Sequence, residues 1–368
     1  MKATATATRP KAAPVKNTVH NDPVRGALLA ALACVLVGGS FTANSVLADY
    51  PYAGGQFLRY GLAFALLAPF AGRDGARRVR ALGAARWVRL ALLAAVGMVG
   101  FNLAVLAAER GAEPAVPGVF VGCAPVVVAV LGPLLDGRRP RPVVLHGAAL
   151  VAVGAFTVQG WGRTDAAGIA FSLCALGGEV GFAVLAVPVL RPLGPLTLSA
   201  TVCAVAALEA ALVGAIADGG AWLRLPGAAE GAALLWQAVV VTVVGFVCWY
   251  RGMQRLGAER ATLFSGLIPV AAACTAPLVG TGSYGPAQAV GSVLVGTGVA
   301  LGSGALNTLG AHRRAPNRRA SSPRPPVRQG QAAGAGRPEP REPAGSSDSE
   351  VPHPAPPPPA ATHPSAGP

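Results

Sequence analysis

Ten apolar stretches, each near the length of a bilayer-crossing helix, fill the chain from about Arg25 to Leu306, and the last five repeat the pattern of the first five. A hydrocarbon core of about 30 Å takes about 20 helical residues at about 1.5 Å of rise each. The candidate spans are Gly26 to Leu47, Tyr52 to Ala71, Trp87 to Ala108, Ala115 to Leu135, Val143 to Gly160, Ala167 to Leu190, Pro195 to Ala217, Ala232 to Met253, Ala261 to Thr281 and Ala287 to Leu306. Spanning strands do not explain them, because such strands alternate apolar and polar residues, whereas Ala27 to Val37 is apolar on every face. The pattern predicts an all-α integral membrane protein with ten transmembrane helices.

Charge placement orients these spans. With 12% charged residues and a net charge of +14, a basic patch on a soluble domain would point to nucleic acid. Instead, if the N-terminus is cytoplasmic, 26 of the 30 Lys and Arg fall in inner segments, with clusters such as Arg77-Arg78-Val79-Arg80 and Arg138-Arg139. Outer segments hold Arg110, Arg163 and Arg224, and Arg59 lies within a span. The excess is therefore a topology signal, placing both termini in the cytoplasm and implying no nucleic-acid partner. The basic residues ahead of the first span and the small residues at Val46-Leu47-Ala48 resemble a secretory signal, but the run is long for one and reads as an uncleaved helix.

Catalytic and cofactor chemistry finds little support. The six cysteines, Cys34, Cys123, Cys174, Cys203, Cys248 and Cys274, are scattered through the spans and form neither a metal site nor a disulfide framework. There is no phosphate-binding Gly-Lys loop and no zinc-ligand His pair, so no cofactor or metal is expected. An ATP-driven pump is excluded within this chain.

Gly111-Ala112-Glu113 before the fourth span matches Gly257-Ala258-Glu259 before the ninth, and a shift of 144 positions places Phe120 on Phe264, Pro133 on Pro277, Gly147 on Gly291 and Gly154 on Gly298. Five spans is an odd number, so the second half enters the membrane from the opposite side. Two inverted halves offer two nearly equivalent packings, one open to each face, which is the basis of alternating access.

The chain resembles the EamA-like branch of the drug/metabolite transporter superfamily. The resemblance rests on Gly38-Gly39-Ser40-Phe41, Gln56-Phe57-Leu58-Arg59-Tyr60, Asn102 to Ala108 leading through Gly111-Ala112 to Ala124-Pro125, and the counterparts Tyr250 to Leu256, Gly257-Ala258 and Ile268-Pro269. The first helix shows Val37-Gly38 where the family commonly has Trp-Gly. The resemblance implies ten helices in two five-helix repeats, residues 26–160 and 167–306, and carriage of a small metabolite or drug-like molecule, with export favoured. Residues 1–25 and the Pro-rich 307–368 read as disordered cytoplasmic tails: 15 of the 33 prolines lie in the latter.

Within the spans, ionisable groups are costly and point to a partner, a wet cavity or a function. Glu179 sits near the centre of the sixth span beside Gly177, Gly178 and Gly181, Glu209 just past the centre of the seventh, and Arg59 near that of the second. Glu179 is a candidate for coupling transport to protons; a static ion pair with Arg59 is the alternative. Arg59 either holds an anionic substrate group or braces the bundle. Ser40, Asn44, Gln56 and Asn102 form a softer polar set that lines a substrate cavity or bonds between helices. Trp236, Trp249 and Tyr250 read as interfacial anchors. Pro125, Pro133, Pro269 and Pro277 are matched kink candidates. Gly291, Gly296, Gly298 and Gly302 give the tenth span a small surface for an interhalf or homodimer contact.

These features predict a secondary transporter of a small molecule in the cytoplasmic membrane. An enzyme acting on lipid-linked substrates and a non-transporting scaffold are the rival readings.

Overall fold

Inside a bilayer no water satisfies the backbone, so each apolar run must close its own hydrogen bonds, and a helix does this locally. The computed structural model describes residues 23–39, 46–47, 49–113, 115–160, 162–217, 219–279 and 283–304. Among these the chain forms ten helical rods and no strand beyond the isolated bridge between Ala112 and Thr164. We number the rods α1 Pro23–Gly38, α2 Tyr52–Arg80, α3 Ala84–Ala108, α4 Val116–Leu135, α5 Pro142–Gln159, α6 Ala166–Leu193, α7 Pro195–Ala217, α8 Ala228–Leu256, α9 Ala258–Leu278 and α10 Pro286–Ser303. Residues 1–22 of the predicted first tail, all of the second, and Ser40 and Asn44 lie outside the described residues, whereas Pro23, Val24 and Arg25, expected in the tail, already belong to α1.

Seven rods, α3 to α9, are long and apolar enough to cross a membrane by length and composition. The other three differ from the expected spans for identifiable reasons. Helix α1 has 16 residues, fewer than the predicted Gly26 to Leu47. Helix α2 contains Gln56 and Arg59 early and continues past its apolar part into a basic segment. It bends there at Gly72, whose φ of 62° and ψ of −167° are open chiefly to glycine. Helix α10 is diluted by glycine and hydroxyl residues. The connection between α6 and α7 is the single residue Gly194, with φ 76° and ψ 164°, so the chain reverses there without a loop.

The core is built from small side chains. Ala30, Ala63, Ala148, Ala155, Ala186 and Ala206 have no exposed surface and fill the space between fewer large buried residues such as Leu90 and Leu198, while other large apolar residues face outward, Ile216 at 85% exposure. Lipid removes any gain from burying a leucine, so close backbone approach decides which faces meet.

The principal rod pairs are α5 with α10, α2 with α7, α1 with α8 and α9, and α6 with α3 and α4. In the first pair, a Cβ on Gly147 would stand 2.7 Å from the carbonyl oxygen of Gly298, and one on Gly154 2.8 Å from that of Gly291. The helices are thus antiparallel and in backbone contact, with Cα–H groups aimed at carbonyl oxygens. Three of the tenth span's four glycines, Gly291, Gly298 and Gly302, are occupied by this chain's own packing, and Gly296 meets nothing within 4 Å. The second pair is also antiparallel, since Gly75 lies against Thr197 and Gly214 against Ala53.

Two kinds of irregularity recur in both halves. Helices α3 and α8 each contain a π-helical segment, Ala95–Gly100 and Gln237–Val244. Helix α4 breaks at Cys123, after Ala115–Gly122 and before Ala124–Leu135, and α9 passes from its first turn, Ala258–Ala261, into the 3-10 stretch Thr262–Gly266. Pro125 and Pro269 stand just beyond these breaks, where the missing N–H opposes a continuous ladder. Pro277 lies in a second 3-10 turn, Ala276–Val279, and Pro133 within the last turn of α4.

Candidate functional site

The π-helical segment of α8 creates the first element of the site. Widening the turn brings the Thr242 hydroxyl onto the carbonyl five residues back, Gln237, at 2.9 Å. The same hydroxyl accepts a 2.8 Å hydrogen bond from Nε of Arg59 on α2. Arg59 lies 5.2 Å from the centroid of the Tyr60 ring, within cation–π range. Among the described residues its terminal guanidinium nitrogens have no hydrogen-bond partner and no carboxylate pairs with it.

The matching π segment of α3 lies on another side of this cluster. Tyr52 donates to the carbonyl of Val99 at 3.3 Å, and Asn102 donates to that of Met98 at 2.7 Å. Tyr60 is 2% exposed and Tyr250, on α8, fully buried. Tyr250 also closes an aromatic set with Phe182 and Phe246, at centroid separations of 5.8 and 6.0 Å. Its hydroxyl and Oε1 of Gln56 are buried without a partner among the described residues. Leaving such groups unsatisfied costs about 1–3 kcal/mol each.

The expectation that Trp249 and Tyr250 anchor an interface is corrected by this placement, since both are buried while Trp236 is 48% exposed. Helical spacing explains it: Phe246, Tyr250 and Met253 share one face of α8 and turn inward together. The sequence reading also passed over Thr242, whose polarity in the middle of an apolar span was the available signal.

Glu179 is not in this cluster. It is half-buried on α6. It makes no ion pair among the described residues, so the static pair with Arg59 is absent. Of its neighbouring glycines, Gly178 and Gly181 take up α3, a Cβ meeting Val96 and, at Gly178, Phe101, while Gly177 faces open space. Glu209 on α7 has Oε2 buried and unpartnered.

Polar contacts fasten both ends of the bundle. On the side assigned outward by charge, Nε of Arg163 donates to Glu113 at 2.8 Å, and the backbone N–H of Glu113 to the Arg163 carbonyl at 2.9 Å. The hydrogen bond from Arg163 holds the Glu113 carboxyl below its ordinary 4.5. These residues border an open recess of about 570 Å³ with Glu109, Arg110 and Asp165, the last capping α6 through Gly168 N–H at 2.7 Å. Tyr50 donates to the Arg224 carbonyl, and Arg224 pairs with Glu230. At the opposite end Arg138, before α5, donates to Glu259, after α8, at 2.8 Å. Hydrogen bonds to Asp136 and then Glu259 raise the Arg138 pKa. A second recess of about 500 Å³ on the flank of α2 and α8 is apolar, lined by Phe57, Leu58, Gly61, Leu62, Leu234 and Leu235 among others.

Comparison with known proteins follows the duplication. The family model for the EamA-like transporter family matches twice, at residues 24–159 and 167–303. No curated protein matches the chain. Solved structures of similar fold include a crystal structure that matches with a TM-score of 0.63 at 19% identity, covering 75% of this chain and 96% of that one.

Proposed function

The chain belongs to the EamA-like transporter family, and on that premise we propose that it is a secondary carrier for a small metabolite or drug-like compound, working by alternating access between two inverted five-helix halves. All ten rods then cross the cytoplasmic membrane with both termini inside, and export is the favoured direction.

The observation that carries this reading is the pairing of rods. Exchanging each helix with the one five places on turns α1–α8 and α1–α9 into α6–α3 and α6–α4, and returns α2–α7 and α5–α10 to themselves. Two equivalent halves related in this way have two packings of similar energy, and their exchange carries a central site from one face to the other. The matched π segments and breaks, at corresponding positions in α3 and α8 and in α4 and α9, supply weak points where such helices can bend. Contacts between the halves support it as well: Arg138–Glu259 at one end and Tyr50 with Arg224 at the other must be released alternately.

In this scheme Glu179 is the coupling residue. A carboxylate at membrane depth with no cationic partner is stable in its neutral form until the site opens to water, which links its protonation to the change of state. The test is untargeted metabolite profiling of medium and cell extract from cells expressing wild type or Glu179→Gln at equal membrane abundance. Compounds redistributed by the wild type alone are expected. Normal redistribution by Glu179→Gln at every pH removes the coupling role, and no redistribution by either protein, in cells or in proteoliposomes, removes the carrier.

A further inference from the structure

We propose that the transported compound is a small organic anion whose acidic group is held by the free edge of the Arg59 guanidinium, beside Tyr60 and Thr242. The inference rests on the carrier reading and gives that site its substrate class.

Two features lead to it. Arg59 is a permanent cation in the apolar part of α2, near the centre of the span read from Tyr52 to Ala71, and bringing it to membrane depth costs about 2.5–3.5 kcal/mol on insertion scales. A bundle-bracing arginine recovers this cost through a carboxylate. Here Nε alone is engaged, by the neutral Thr242 hydroxyl, and among the described residues neither Glu179 nor Glu209 pairs with the guanidinium. Because the Nε bond and the Tyr60 ring fix its plane, the terminal N–H groups are presented as a pre-oriented fork, the geometry that takes a carboxylate or phosphate in two parallel bonds.

The second is the setting of the guanidinium: the Tyr60 ring stands 5.2 Å from it, so an aromatic or apolar body attached to the anion meets ring surface beside the charge. Cationic compounds are disfavoured at the same place by Arg59, and neutral ones leave its charge uncompensated.

The test uses the purified full-length protein in detergent and three probes with one body: phenylacetate, phenylacetamide and phenethylamine. Thermal unfolding is followed at constant ionic strength in chloride. Phenylacetate is expected to raise the melting temperature of the wild type in a saturable way while the amide and amine do not. In Arg59→Gln the apparent affinity for phenylacetate should fall at least tenfold, and Arg59→Lys, which keeps the charge but not the fork, should fall between. Equal stabilisation by the amide or amine, no shift with any probe, or unchanged phenylacetate binding in Arg59→Gln would overturn the proposal. If Arg59→Gln does not fold, Arg59→Lys and the wild-type charge preference decide. Failure here is separable from failure of the carrier reading: redistribution of neutral or cationic metabolites sinks the anion site and leaves the carrier, whereas charge-selective binding without flux in proteoliposomes does the reverse.

Discussion

Substituting alanine at Gly298 and at Gly296, two residues apart on α10, separates the cost of helix contact from every other effect of adding a methyl group. At Gly298 the new Cβ would lie 2.6 Å from the carbonyl oxygen of Gly147 and 2.8 Å from the backbone nitrogen of Val151, whereas at Gly296 it meets nothing within 4 Å. A carbon-to-oxygen contact settles at about 3.3 Å or more, so α5 and α10 must part by about 0.7 Å. Both nearest atoms are backbone of α5, so no flexible side-chain end can swing away to relieve the contact. A gap of that size forfeits about a quarter to a half of the dispersion attraction along the contact. The overpacking cost is about 1–3 kcal/mol. Alanine also gains about 1 kcal/mol over glycine in helix propensity, but both variants receive that gain and it cancels in their difference. Thermal unfolding of the two purified variants in the same detergent should therefore place Gly298→Ala below Gly296→Ala by about 1–3 kcal/mol, with Gly296→Ala at or above wild type. Equal stabilities would refute the reasoning, because α5 and α10 would then not meet through these backbones.

Breaking the inner fastening by Arg138→Gln should favour opening at that end. A partly exposed ion pair is worth about 0.2–1 kcal/mol, so alkylation of the buried Cys203 by N-ethylmaleimide should quicken by at most about fivefold, measured by peptide mass spectrometry against the exposed Cys274 as reference; an unchanged rate would remove Arg138–Glu259 from the gating scheme. At the outer end, Glu113 is the titrating partner. Its folded pKa is lowered, so its contribution to stability is present above its ordinary 4.5 and is lost as pH falls through the lowered value. The melting-temperature difference between wild type and Glu113→Gln should accordingly be constant near neutrality and vanish in acid, and a difference that persists below that range would show that the pair with Arg163 is not its source.

The amino-acid sequence determined the class of protein through quantities that do not depend on which helices touch. Length and continuity of the apolar runs require helices, the clustering of Arg77 to Arg80 and of Arg138 and Arg139 sets the expectation for their orientation, and the shift of 144 from Pro125 to Pro269 and from Gly154 to Gly298 exposes the duplication. Local chemistry was less legible. An apolar span of about 20 residues carries no mark of where it will widen into a π turn, because that depends on the side chains packed against it. Thr242 therefore became visible as the partner of Arg59 only once α2 and α8 were side by side. Tyr250 illustrates the same limit: a tyrosine near the end of a span suits either a headgroup layer or an interior, and the neighbour Phe182, distant in sequence, decided for the interior. The glycines mark the boundary between the two kinds of knowledge. Their spacing on α5 and α10 could be read in advance, but that Gly147 and Gly298 face each other, while Gly296 faces outward, was decided by tertiary packing, since in a membrane the approach of two backbones rather than the hydrophobic effect selects which faces meet.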